Sequence, residues 1–484
     1  MEGLKFLAET LGVSLFQLIS FLTILVGGTA ISNLNINFKG NNKDGMAKLS
    51  DLDCLLKSDG IQLSKKIFLS AKSLYEHLIV LGPTGAGKSS SIFIPNLLQK
   101  ESFCGSESSI IITDPKGEIY DITSDFQRKS GRKIKVFAPY QESMSIHYNP
   151  LDFCETKSDV IALAKDILTT GAKAIEIRNG GSSNKDSVWI NMATPLFSAV
   201  LLYVYKLKKP HNTISNALKL IIKKDEDEIR ELLMSQNDED IELQYRMYEK
   251  CTTSPATAGS IQITLAANVQ SFLTPAIERI TSYTDFDFKE LRENKTALYL
   301  IYPVEKSSDL APLTSIFFSQ LFNICKEYNK DSHYPLFCLF DEFSNIGAIP
   351  CFNTHTSTLR SYRIGLICCL QDKNQLKTLY GSHSETIFNN LKNVAMFGGE
   401  KDFETLRAIT ALCGKKEILN ISTTSNNKGN TSTTKSYKTK DVFPIDELKN
   451  ISENEIFIML KNQKPILDSI NPYYKDFKYL NNSI

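Results

Sequence analysis

The segment His77-Leu-Ile-Val-Leu-Gly82-Pro-Thr-Gly-Ala-Gly87-Lys88-Ser89 constrains the fold more than any other stretch of the chain. It fits G-x-x-x-x-G-K-[ST], with an apolar run before it and a helix-competent run after it. The glycines let the backbone bend so that its N–H groups face phosphate oxygens, and the helix that follows aims its positive end at the same charge. A chain built around such a loop needs a buried strand on one side of it and a helix on the other. The candidate nucleotide-binding residues are Gly82, Pro83, Thr84, Gly85, Ala86, Gly87, Lys88, Ser89 and Ser90. ATP and Mg2+ are the expected ligands. Lys88 is expected to reach the β- and γ-phosphates and the Ser89 hydroxyl to ligate Mg2+, which keeps several of its waters and needs few protein ligands.

Further apolar runs of strand length lie at residues 110–113, 134–137, 297–302, 336–340, 364–370 and 394–397. They are continuous rather than alternating, as buried parallel strands are. Helical stretches separate several of them, at 89–99, 312–328 and 374–380. The alternation predicts an α/β layered domain. A last apolar run, 456–460, is placed to return the chain to the sheet.

The run 336–340 ends in Asp341-Glu342, a Walker B arrangement in which a buried strand delivers two acids to a phosphate site. Asp341 is expected to hold Mg2+ through water and Glu342 to act as general base on the attacking water. Gln371 at the tip of the next strand is placed to sense the γ-phosphate. Arg360 and Arg363 are candidate arginine fingers, which in ring motors act on a neighbour's ATP. Asp114 and Lys116, in Thr113-Asp-Pro-Lys-Gly-Glu118, end another strand and face the same crevice, either as supporting groups or as a capped turn.

Between residues 151 and 291 the periodicity is almost only helical, at 159–170, 187–207, 213–222, 225–248 and 260–272, which predicts an all-α domain inserted into the α/β domain. Residues 205–224 carry six lysines and no acid, and 225–242 is strongly acidic. These are either solvated helix faces or a local basic patch for nucleic-acid phosphates. Residues 422–440, rich in Ser, Thr, Asn and Lys, read as a mobile surface loop.

No charged residue occurs between Thr10 and Phe38, and 13–31 is mostly apolar, long enough to span a bilayer. A signal peptide and a buried core helix are the competing readings. Lys39, Lys43 and Lys48 after the span put the bulk of the chain in the cytoplasm by the positive-inside rule. The net charge of +1 gives no overall field for nucleic acid, so any such surface must be local. The ten cysteines are scattered without a C-x-x-C pair, which suits reduced thiols in a cytosolic fold.

With these residues in view, the chain resembles the type IV secretion coupling proteins, the TraG/TraD-like group of conjugation ATPases. The resemblance runs from about residue 45 to 460. It rests on the ordered blocks G-P-T-G-A-G-K-S-S-S (82–91), T-D-P-K-G-E (113–118), Y-N-P-L-D (148–152), T-D-F-D-F (284–288), F-D-E-F-S-N-I-G (340–347) and L-R-S-Y-R-I-G (359–365), closed by Gln371 and Tyr380-Gly381. It implies a RecA-like P-loop NTPase domain (41–150 and 292–484), an inserted all-α domain (151–291) and an N-terminal transmembrane helix within 1–40. It also implies a homohexamer at the bacterial inner membrane that uses ATP to pass DNA–relaxase complexes, effector proteins or both to a type IV secretion channel. The family's nucleotide residues fall on Gly82, Thr84, Gly85, Gly87, Lys88, Ser89, Asp341, Glu342 and Gln371, and its arginine finger on Arg360. One span is expected where many such proteins carry two, and the acidic C-terminal extension of some members has no counterpart. Two alternatives stay open: an FtsK-like DNA translocase, and an adaptor-docking protein in which ATP has a structural role.

Overall fold

A computed structural model of the chain describes residues 46–47, 56–180, 186–207, 209–252, 254–425, 431–461 and 463–483. The expected membrane span at 13–31 lies outside the described residues. Apart from Met46, the described residues belong to the unit Ala47–Ile484.

The centre is one nine-stranded sheet. Its strands in chain order are β1 (Leu78–Leu81), β2 (Ser109–Asp114), β3 (Lys133–Phe137), β4 (Thr296–Ile301), β5 (Leu336–Phe340), β6 (Ile364–Leu370), β7 (Asn393–Phe397), β8 (Glu455–Leu460) and β9 (Ile466–Ser469). They lie side by side as β9-β8-β7-β1-β6-β5-β2-β4-β3. From β7 to β3 all pairs are parallel, and β8 joins antiparallel to β7 and carries β9. Every residue of β1, β2, β4, β5, β6 and β7 is buried, which is why these runs are continuously apolar. Alternate residues such as Val80, Ile112, Leu339, Ile367 and Phe397 point to one face, against Phe93, Ile94 and Leu97 of the turns after the P-loop. The helix Ser307–Glu327 covers the other face, where Phe317 stacks on Phe137 and Phe318 meets Phe340 edge-on, both at 5.0 Å.

Between β3 and β4 all the described regular elements are helical. They include α1 (Lys157–Arg178), α2 (Asp186–Tyr205), α3 (Ile214–Lys223), α4 (Glu226–Met234), α5 (Glu239–Cys251) and α6 (Pro255–Val269). The single helix expected at 225–248 is two, because Asn237 turns left-handed (φ 50°) and Asp238 caps a fresh start on the N–H groups of Asp240 and Ile241. Within α2, residues Ser187–Tyr205 are long and apolar enough to cross a membrane, but most of that stretch is buried within the helical block, as a core helix is.

One pair of readings narrows and one expectation needs correction. Four of the six lysines of 205–224 are paired, which favours solvated faces over a basic patch: Lys206 with Asp238 at 3.1 Å, Lys209 with Asp152 at 2.9 Å, Lys219 with Glu278 and Lys224 with Glu228 at 3.4 Å, while Lys208 lies outside the described residues. The region read as a loop at 422–440 lies instead in a long antiparallel ribbon, Lys415–Ser425 paired with Thr431–Asp441. Its Thr and Ile residues are β-branched and favour extended backbone.

Candidate functional site

β1 ends at Leu81, and the chain turns at Gly82, where an added Cβ would come within 2.9 Å of the Phe397 Cβ. Gly85 and Gly87 take φ of 82° and 85°, a left-handed conformation that a side chain would strain. The loop then enters a wide π-type turn, Ser89–Phe93, followed by the α-turns Ile94–Leu97. Pro95 has no N–H to return to the Ser91 carbonyl, which accounts for the irregular hydrogen bonding of what the sequence presents as one helix at 89–99. Lys88 is buried and folds back over the loop, donating to the Gly82 carbonyl at 2.5 Å and the Pro83 carbonyl at 3.2 Å.

β5 delivers the acids. The Ser89 hydroxyl donates to Asp341 Oδ1 at 2.7 Å, across the tip of β6. Burial pushes the Asp341 carboxyl up to about 6, although the Ser89 hydrogen bond and the Lys88 charge oppose the shift. Asp114, at the end of β2, is likewise pushed up by burial to about 6, while accepting from the Tyr120 N–H at 2.8 Å. Glu342 sits in the left-handed region (φ 66°, ψ 71°), which is unfavourable for its side chain and turns the chain sharply off the strand. Its Oε1 accepts from the Ser344 hydroxyl at 2.9 Å and from Gln375 Nε2 at 3.1 Å, and Oε2 lies 3.5 Å from Gln371 Nε2. Gln375 also accepts from the Gln371 backbone N–H at 2.8 Å, so one side chain ties the Walker B acid to the tip of β6.

Lys88, Ser89, Asp114, Lys116, Asp341, Glu342 and Gln371 line one cavity of about 540 Å3 with the glycine loop. A second cavity, about 650 Å3, lies against the same loop and is lined by Gly399, Glu400, Asp402 and Tyr474. Gln375, Glu400 and Tyr474 were not picked out from the sequence. For Gln375 the signal was there, since it stands four residues after Gln371 at a helix start. Glu400 arrives just after β7, which lies beside β1, and Tyr474 only through the return of the chain by β8 and β9.

The arginines lie elsewhere. Arg360, in the turn Leu359–Tyr362 before β6, is 62% exposed and pairs with Glu76 at 2.9 Å, which also holds Lys461 at 3.1 Å. Glu76 precedes β1, so this cluster sits at the strand starts, roughly 23 Å along β6 from Gln371 at about 3.3 Å per residue. Arg363 takes φ 55° and donates to the carbonyls of Lys330 and His333, which occupies it structurally.

Set against known proteins, the chain is 27% identical over 356 residues to Protein VirD4 of Rhizobium radiobacter, covering 70% of this chain and 48% of that one. It is 26% identical over 345 residues to the conjugal transfer protein TraG of Escherichia coli, covering 65% and 51%. The chain thus spans about half the length of these relatives. Among solved structures, the bacterial conjugative coupling protein TrwBdeltaN70 in complex with sulphate superposes with a TM-score of 0.68 at 14% identity, over 88% of this chain and 92% of that one. TrwB in complex with ADP and Mg2+ gives 0.67 at 14% identity, over 88% and 93%. The family model for type IV secretory system conjugative DNA transfer matches residues 35–484, and the chain belongs to that family.

Proposed function

We propose that the chain is an ATP-hydrolysing motor, anchored at the bacterial inner membrane through residues 13–31. In this reading it couples DNA–relaxase complexes, effector proteins or both to a type IV secretion channel. The observation that carries the chemistry is the 2.7 Å approach of Ser89 Oγ to Asp341 Oδ1 beside a left-handed glycine loop. Two hard oxygen donors side by side at the end of a buried strand suit Mg2+, and the loop with Lys88 suits the triphosphate. TrwB, of similar fold, has been seen with ADP and Mg2+ and with non-hydrolysable ATP and GTP analogues.

Ser89 and Asp341 would hold Mg2+, which neutralises charge on the β- and γ-phosphates when bound. Lys88 leaves the two carbonyls it now donates to and takes the phosphate oxygens instead. Glu342 accepts the proton of the attacking water, held in place by Ser344, Gln371 and Gln375. Gln371 reports the γ-phosphate to β6. Arg360 cannot reach its own P-loop, so it serves the site of the next subunit in a homohexameric ring.

The test is ATP turnover by the full chain in nanodiscs with and without DNA. Glu342→Gln is expected to retain bound ATP while turnover falls by about a hundredfold or more. Normal turnover in that variant would remove Glu342 from the role of base.

A further inference from the structure

The antiparallel ribbon Lys415–Ser425/Thr431–Asp441 has no place in the nucleotide chemistry, yet it is the longest strand pairing among the described residues, eleven rungs in register. A two-stranded ribbon alone is marginal in water and ordinarily buries one face. This one leaves both faces open: Leu419 is 43% exposed, Ile421 54% and Tyr437 72% on one, and Ile418, opposite Lys438, is 37% exposed on the other. Leu419 opposes Tyr437 and Ile421 opposes Lys435, so the pleat puts these four on one face. Lys438 and Lys440 stand on the other.

Lys435, Lys438 and Lys440 have no ion pair among the described residues, in contrast to Lys206, Lys209, Lys219 and Lys224. The three span ~17 Å of strand, a stretch over which an extended polynucleotide presents several phosphates. Tyr437 shares a face with Lys435, and Lys438 and Lys440 stand on the reverse of the same thin ribbon, so an exposed aromatic is flanked by cations on both sides, a combination that stacks unpaired bases and tracks their phosphates without reading sequence.

We propose that this ribbon grips a single strand of nucleic acid, with Tyr437 stacking a base and Lys435, Lys438 and Lys440 neutralising its phosphates. The assignment rests on the reading of the cargo as DNA-containing. The experiment measures fluorescence anisotropy of a labelled oligo(dT) with the full chain over a range of NaCl. Combined Lys435→Ala, Lys438→Ala and Lys440→Ala should weaken binding at least about tenfold at low salt and flatten the log–log salt slope by about 2, at ~0.7 per phosphate contact. Tyr437→Ala should weaken binding with the slope unchanged, and Tyr437→Phe should bind as the parent does. Unchanged basal ATP turnover shows that the variants are folded. If the variants bind as tightly as the parent, the strand is held elsewhere and the proposal falls while the DNA-cargo reading stands. If the parent binds no oligonucleotide at low salt, both fall. If the parent prefers a duplex, the single-strand assignment falls. If the triple variant changes only sedimentation and not anisotropy, the ribbon is a contact between copies of this chain.

Discussion

The two edges of the central sheet use the same kinds of side chain to opposite ends. At the strand starts the charges are consumed by structure. Arg292, fully buried, donates to the carbonyls of Tyr328 and Tyr362, both at 2.8 Å. Arg363 holds the carbonyls of 330 and 333, and Asn393 Nδ2 donates to those of Ser73 and His77. These groups stitch together the loops that enter the strands. At the strand ends, Asp114 and Asp341 are buried carboxyls held well above their ordinary range, facing a cavity. Ligands of open α/β sheets bind at the carboxyl ends of the strands, and here the difference is visible in what each charge has for a partner. Arg360 is the exception among these arginines, mostly exposed and tied to one carboxylate.

That exception gives the largest expected effect. Arg360→Ala should lower ATP turnover by about a thousandfold, the low end for a lost arginine finger, with nucleotide affinity little changed. Mixing Arg360→Ala chains with Lys88→Ala chains should restore part of the activity, because each supplies what the other lacks across a subunit boundary. If Arg360 is only a surface partner of Glu76, turnover will be near normal and mixing will add nothing. In that case the two edges would be functionally separate.

Contiguity explains what was legible beforehand. The P-loop and the Asp341–Glu342 pair each lie within a few residues, and their strand contexts are plain in the apolar runs, so the strand order of chemistry could be read directly. Gln371 followed from its place at a strand tip. Gln375 did not, because its relevance depends on which way one helix turn points. The lysines of 205–224 left two readings open for a related reason. Asp152, Asp238 and Glu278 neutralise them from elements distant in sequence, so a charge run seen alone says nothing about whether it is free. The ribbon was hidden by composition. Its Ser, Thr and Asn residues look like loop, although alternating β-branched residues on either side of an Asn- and Gly-containing centre were a hairpin signal.

The next effect separates the edges by pH. His77, before β1, is buried and neutral. Its Nδ1 accepts from the Leu366 N–H at 3.2 Å, so its Nε2–H donates to the Thr356 carbonyl at 3.1 Å. Burial holds it down at about 4. An unfolded imidazole takes its proton near 6.5, so between about 6.5 and 4 the unfolded chain binds more protons and stability falls as pH falls. Asp341, raised to about 6, has the opposite sign: the folded chain takes its proton first, so its contribution is lost as pH rises through about 6. In urea titrations moved from pH 7 to pH 5, His77→Gln should gain about 2 kcal/mol relative to the parent, and Asp341→Asn should lose about 1 kcal/mol. Parallel changes in the two variants would mean that the edges do not differ in this way.

The smallest effect concerns how the strand-end edge holds the proposed general base. Glu342 leaves the strand in a left-handed turn, so backbone geometry alone leaves its carboxylate free to rotate; the hydrogen bonds from Ser344 and Gln375 fix it. A hydrogen bond to a charged group contributes about 1.5–3 kcal/mol, of which only the part that aims the carboxylate at water bears on the rate. Gln375→Ala should therefore lower kcat about tenfold with KM for ATP within about twofold, because Gln375 acts through Glu342 rather than on the nucleotide. Gln375→Glu should be worse than Ala, since it sets a second carboxylate against the first. A shift in KM with kcat unchanged would place Gln375 on the nucleotide instead. The contrast between a structural edge and a reactive edge would then have to be drawn with one more residue touching ligand.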